Sequence, residues 1–137
     1  MTTPVRAAAD AVRAYLDALN RASADEVAAC VTEDFVNEHT AALGQSVVGR
    51  NAYRERLVGF LAGFPGLHYQ VERLIADGDD VAVAYRMSAQ WRETAAATPR
   101  PFTIRGMFRF EVRDGLIAHR VDYWDSAEFR RQVQTAG

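Results

Sequence analysis

The chain has 137 residues, a size that fits one domain able to bury most of its apolar surface without disulfides or metal staples. Hydrophobic residues make up 49% and charged residues 25%, with a net charge of −2, which excludes wholesale disorder and gives no basic signature for nucleic acid or anionic membrane. All sixteen basic residues are arginine and the one cysteine is Cys30, so Schiff-base lysine chemistry, a phosphate-loop lysine, an internal disulfide and a two-cysteine zinc site are all ruled out.

Val5, Ala9, Val12, Leu16 and Leu19 recur at steps of four and three, one apolar stripe on a first helix. Ser23-Ala-Asp-Glu26 is a capping box that opens a short second helix carrying Val27, Cys30 and Val31. Phe35 to Thr40 reads as a short strand and Gly44 to Gly49 as a loop. Tyr53, Leu57, Phe60 and Phe64 step by four, three and four, a third helix stopped by Pro65-Gly66.

From Leu67 the period changes to two. Leu67, Tyr69 and Val71 alternate with polar neighbours, and Ala76-Asp-Gly-Asp-Asp80 forms a turn. Val81, Val83, Tyr85, Met87, Ala89 and Trp91 mark the next strand, then Phe102, Ile104, Gly106, Phe108, Phe110 and Val112 another. Arg113-Asp-Gly115 is a hairpin turn before a last strand from Leu116 to Trp124. A final helix from Ser126 carries Phe129 and Val133. Helices followed by an antiparallel meander predict an α+β domain spanning residues 1–137. No apolar run reaches membrane-spanning length, and the start Met1-Thr-Thr-Pro-Val-Arg6 lacks a signal-peptide core, so the expected place is the cytoplasm.

Asp34-Phe-Val-Asn37, Gly49-Arg-Asn-Ala-Tyr53, Asp114-Gly-Leu-Ile117 and His119-Arg-Val-Asp-Tyr-Trp-Asp125 occur in an order that resembles the nuclear transport factor 2-like superfamily, and within it the SnoaL-like polyketide cyclases. The last string is also similar to the final strand of limonene-epoxide hydrolases. The resemblance implies a cone-shaped α+β barrel, with N-terminal helices packed into a strongly curved, mostly antiparallel sheet around an apolar pocket. It implies an acid/base aspartate at Asp122, a pocket asparagine at Asn37 and, through the more distant ketosteroid isomerases, a first-helix tyrosine at Tyr15. The isomerase general base falls close to His39. Where the cyclases carry Gln and His, this chain has Gly106 and Phe108.

The residues themselves point the same way. Asp122 sits two positions from Trp124, and a carboxylate among aromatics is desolvated, which raises its pKa toward neutrality; pairing with Arg120 would instead lower it. His39 shares a strand face with Asn37 and Phe35, where a neutral imidazole shuttles protons or orients a substrate oxygen. Tyr85, Trp91, Phe108 and Trp124 are core positions that double as pocket walls near the open end, together with Tyr15. His68 and His119 read as surface residues, and no metal-ligating spacing occurs. The expected function is a cofactor-free cyclase or isomerase acting on a small, apolar, oxygenated molecule, such as an aldol cyclisation of a polyketide, with Asp122 and His39 as catalytic groups. The alternatives are epoxide opening by Asp122 with His39, and a non-catalytic ligand-binding module. The exposed face carrying Thr103, Arg105, Met107, Arg109 and Glu111 is expected to form a homodimer contact.

Overall fold

The period-two segments pair into one six-stranded sheet, and the helices cover its inner face. In a computed structural model the order of elements is α1 (Ala8–Asn20), α2 (Ala24–Ala28), β1 (Val31–His39), β2 (Val47–Val48), α3 (Arg50–Gly63), β3 (His68–Asp77), β4 (Asp80–Trp91), β5 (Arg100–Arg113), β6 (Leu116–Trp124) and α4 (Ser126–Val133). The structure describes residues 7–41, 44–94 and 96–134. The predicted stripe residue Val5 and the segment Met1–Arg6 lie outside these.

The sheet order is β2-β1-β6-β5-β4-β3, antiparallel throughout except that β1 runs parallel to β6. The architecture is the α+β cone expected from the sequence. Alternation sends Val81, Val83, Tyr85, Met87 and Ala89 inward from β4, and Phe102, Ile104, Phe108, Phe110 and Val112 inward from β5. They meet Ala11, Val12, Tyr15, Leu16, Ala18 and Leu19 of α1. Asp114 and Gly115 both take positive φ, 53° and 78°, which is the two-residue hairpin that Asp-Gly favours.

Four local expectations need correction, the first being that the segment Gly44–Gly49, read as a loop, contains β2, which pairs with β1. The second helix is only five residues long: the Ser23 side chain accepts from the Glu26 N–H as the capping box requires, but the helix ends at Ala28. Val31 therefore belongs to β1, which begins four residues before Phe35, because its side chain is fully buried in the sheet core and Arg50 donates to its carbonyl. Val71 is 42% exposed although it continues the alternation of Leu67 and Tyr69. The register between β3 and β4 shifts between Val71 and Arg73, and such an irregularity re-aims side chains.

The N-cap of α4 is the side chain of Asp125, which accepts from the N–H groups of Ala127 and Glu128. Gln132 of α4 then clasps the Thr103 backbone, accepting from its N–H at 2.9 Å and donating to its C=O at 2.8 Å. That clasp holds Phe129 against Phe102 and Trp91 at the wide end of the cone.

Candidate active site

The register of one parallel strand pair assembles the polar centre. Asn37 of β1 lies opposite Arg120 of β6, and His39 lies opposite Asp122. Because side chains two apart on a strand share a face, all four project to the inner side. Arg120 and Asp122 are each 5% exposed and Asn37 is buried. The Arg120 Nε donates to Asn37 Oδ1 at 2.8 Å, and its guanidinium lies 4.8 Å over the ring of Phe108.

Asp122 has two differently engaged oxygens. Its Oδ1 accepts from the Tyr85 hydroxyl at 2.6 Å, and its Oδ2 lies 3.6 Å from His39 Nδ1. Tyr85 reaches across because Gly106 stands between β4 and β6, paired with Tyr85 on one side and Trp124 on the other. A Cβ at Gly106 would fall 2.4 Å from the Tyr85 hydroxyl oxygen and 2.8 Å from the Tyr123 carbonyl. The glycine is therefore a condition of the Tyr85–Asp122 bond.

Burial pushes the Asp122 carboxyl above the usual aspartate range; the nearby Arg120 charge and the bond from Tyr85 pull it back only in part. His39 moves the other way, lowered to about 4, first by burial and then by the charges of Arg120 and Arg56. A neutral His39 forms no ion pair with Asp122. Its ring faces two groups that can only donate, Arg120 Nη2 at 3.3 Å from Nε2 and the Trp124 indole N–H at 3.2 Å from Nδ1. A neutral imidazole has one acceptor nitrogen. It can therefore accept from only one of these two donors at a time. The imidazolium would set an N–H against Arg120, in keeping with the depressed pKa.

This shift has a measurable consequence for stability. A histidine whose folded pKa is depressed favours folding fully above its ordinary value of 6.5, and that contribution is lost as pH falls toward 4. The full span is worth about 3 kcal/mol at 1.36 kcal/mol per pH unit. The stability advantage of the parent protein over His39→Gln, from urea melts, is expected to shrink by most of that amount between pH 7 and pH 4. A constant difference across that range would show that His39 is not held neutral.

The centre opens into a cavity of about 440 Å³. Its walls are mainly apolar, with Phe60 and Phe64 from α3, Met87 and Trp91 from β4, Phe102 and Ile104 from β5, and Phe129 from α4. A few converging polar groups in such a cavity suit a small ligand with one oxygenated end.

Over residues 12–120 the sequence matches the SnoaL-like domain family. The chain belongs to that family. No curated protein sequence matches it. Among solved structures it is similar to a "putative polyketide cyclase" from Xanthomonas campestris pv. campestris, at 25% identity and TM-score 0.78, covering 93% of this chain and 96% of that one. It is equally similar in sequence, 25%, to an LEH-like epoxide hydrolase from M. tuberculosis, with TM-score 0.75 and coverage of 92% and 88%. A "putative SnoaL-like polyketide cyclase" from Shewanella denitrificans shares the fold at TM-score 0.84 with 15% identity, over 94% and 98% of the two chains.

Within this SnoaL-like domain the sequence-predicted residues separate into two groups. Asp122, His39, Asn37, Tyr85, Trp91 and Trp124 all line the one cavity. Tyr15 and Phe108 lie behind its wall. The Tyr15 hydroxyl is hydrogen-bonded to that of Tyr53, both rings fully buried, and Phe108 is stacked on Tyr85 beneath Arg120. Sequence reasoning missed Tyr53 and Tyr69, which present inner-wall positions, and it weighed Arg120 only as a partner of Asp122, although its place two residues earlier put it on the same face. Among the described residues no group of three or more His, Cys, Asp or Glu is placed to hold a metal ion, and no helix is long and apolar enough to cross a membrane.

Proposed function

We propose that this SnoaL-like domain is an acid/base enzyme of the cyclase or isomerase type, working on a small, apolar, carbonyl-containing molecule without a cofactor. The supporting observation is the pair of unlike oxygens on Asp122: one is tied to Tyr85 and the other is directed to the cavity beside the His39 ring. Asp122 Oδ2 takes a proton from the carbon next to the substrate carbonyl. The electron pair moves onto the carbonyl oxygen as an enolate, which faces the hydrogen-bond donors of the centre. For cyclisation, the enolate carbon attacks a second carbonyl, a C–C bond forms, and the protonated Asp122 returns its proton to the new alkoxide. For isomerisation the proton returns to a different carbon. Each step is proton transfer plus positioning.

Aspartate must be ionised to act as base, so activity rises with pH through the Asp122 pKa, which lies above the ordinary 3.8. The Tyr85 bond favours the ionised form, so Tyr85→Phe is expected to move the acid limb of the kcat/KM profile to higher pH. An unmoved limb would assign it to another group.

Enolisation is tested without knowing the natural substrate. A bound ketone such as 2-tetralone should exchange its α-hydrogens with D2O faster than in buffer, as followed by NMR. Binding of the ketone with no acceleration would reject the carbon-acid chemistry. A second reading, epoxide opening, draws on the likeness to the M. tuberculosis LEH-like epoxide hydrolase and on the proximity of His39 to Asp122. There the base activates water or an internal hydroxyl while an acid protonates the epoxide oxygen. Loss of an epoxide probe with diol formation would favour it. A homodimer through the outer face of β5, where Met107 is 44% exposed among arginines, remains part of the proposal and is read by light scattering.

A further inference from the structure

The charges lining the cavity do not balance. Its described lining holds two arginines, Arg56 and Arg120, and a single carboxylate, Asp122, while His39 is neutral. Even with Asp122 ionised, the lining is net positive. Among the described residues neither arginine has a carboxylate within 4 Å. Elsewhere on this chain arginines commonly find one: Arg54, two residues before Arg56 on the same helix, pairs with Asp25, and Arg105 chelates Glu72 with two bonds.

The two cavity arginines are set up differently. Arg120 is buried and committed to Asn37 and His39. Arg56 is an exposed residue of α3 at the mouth, where Gln45 and Gly59 also line the opening. Gln45 holds it from one side, accepting from its Nη1 at 3.1 Å through the side-chain oxygen and at 3.4 Å through the backbone carbonyl. Among the described residues nothing accepts from its Nε or Nη2. A guanidinium positioned at one end and open at the other is suited to take a planar anion through those two remaining donors. Arg56 also lies close enough to the centre to help depress His39.

We propose that the substrate carries a carboxylate on its apolar, carbonyl-containing body, and that Arg56 receives this carboxylate at the mouth while the carbonyl end lies against Asp122 and His39. This inference rests on the acid/base reading for the identity of the reacting end, and it adds what the substrate must carry at the other end. The net positive lining attracts the anion, and the aromatic walls take the body. Arg56 is a binding residue; it sits apart from the atoms that react.

The test uses one matched pair of probes, 4-(2-naphthyl)-4-oxobutanoate and its primary amide, which share the aryl ketone and differ in charge. Calorimetry should show the acid binding about tenfold tighter than the amide or better at about 0.02 M salt, the gap narrowing at about 0.5 M. Arg56→Gln, a change on an exposed helix surface, should remove most of the gap by weakening the acid alone. Equal affinity for acid and amide, or a preference that survives Arg56→Gln, would overturn the inference. Exchange of the α-hydrogens in D2O is read separately on both probes. Exchange with no preference for the acid leaves the acid/base chemistry standing without the carboxylate. Preference for the acid with no exchange keeps the anion site and removes the chemistry.

Discussion

Asp122→Asn is expected to cut turnover by about 10²–10⁴-fold, the usual effect of removing a general acid/base. The substitution keeps the size of the side chain, and its amide oxygen can still accept from Tyr85. What it removes is the group that ionises. Affinity for an apolar ligand should change far less, because Phe60, Phe64, Trp91, Phe102 and Phe129 supply most of the contact area. The protein should also become more stable at neutral pH. A carboxyl whose folded pKa is raised favours folding while it is protonated, and it loses that contribution as pH rises through the folded value. Asparagine carries no such cost. Lower activity with a higher melting temperature at pH 7–8 is the expected signature, because an acid/base group kept dry for function is a burden on stability. Turnover equal to the parent's would reject Asp122 as the acid/base.

Gly106→Ala should strain the centre of the sheet. The new Cβ would meet both the Tyr85 hydroxyl and the Tyr123 carbonyl inside van der Waals contact. The Tyr123 carbonyl is backbone and cannot swing aside, so Tyr85 must leave Asp122 or the strands must part. Overpacking of this kind costs about 1–3 kcal/mol. If Tyr85 is the group that yields, Asp122 loses the hydrogen bond that favours its ionised form, and the acid limb of activity should move up as in Tyr85→Phe. Chemical denaturation and a pH–rate profile on the same variant check both effects. A Gly106→Ala protein of parental stability and profile would show that Tyr85 does not need the space.

Much of this protein is legible in the order of its residues. The change of period at Leu67, the Asp114-Gly115 turn, the capping Ser23 and the alternating rows of β4 and β5 are local features, and each acts over a few residues. They foretell the α+β architecture, and with the string from His119 to Asp125 they foretell the family. The resemblance pointed to Asp122 and Asn37, and with His39, Tyr85, Trp91 and Trp124 they line one cavity in the structure.

Tertiary structure alone decided how these residues meet. Asn37 and Arg120 are 83 residues apart, and nothing local says that β1 runs parallel to β6 in the register that makes them partners. Tyr15 and Tyr85 both read as aromatic positions on buried faces. Only the tertiary fold brings Tyr53 of α3 to the Tyr15 hydroxyl, and only the gap at Gly106 lets Tyr85 reach Asp122. The charge imbalance at the mouth is equally invisible in a chain of net charge −2, since it depends on which arginines find a carboxylate across space. Periodicity reports which face of an element is buried; which residues touch across that face is set by long-range pairing and sheet curvature, and those have no local signature in the sequence.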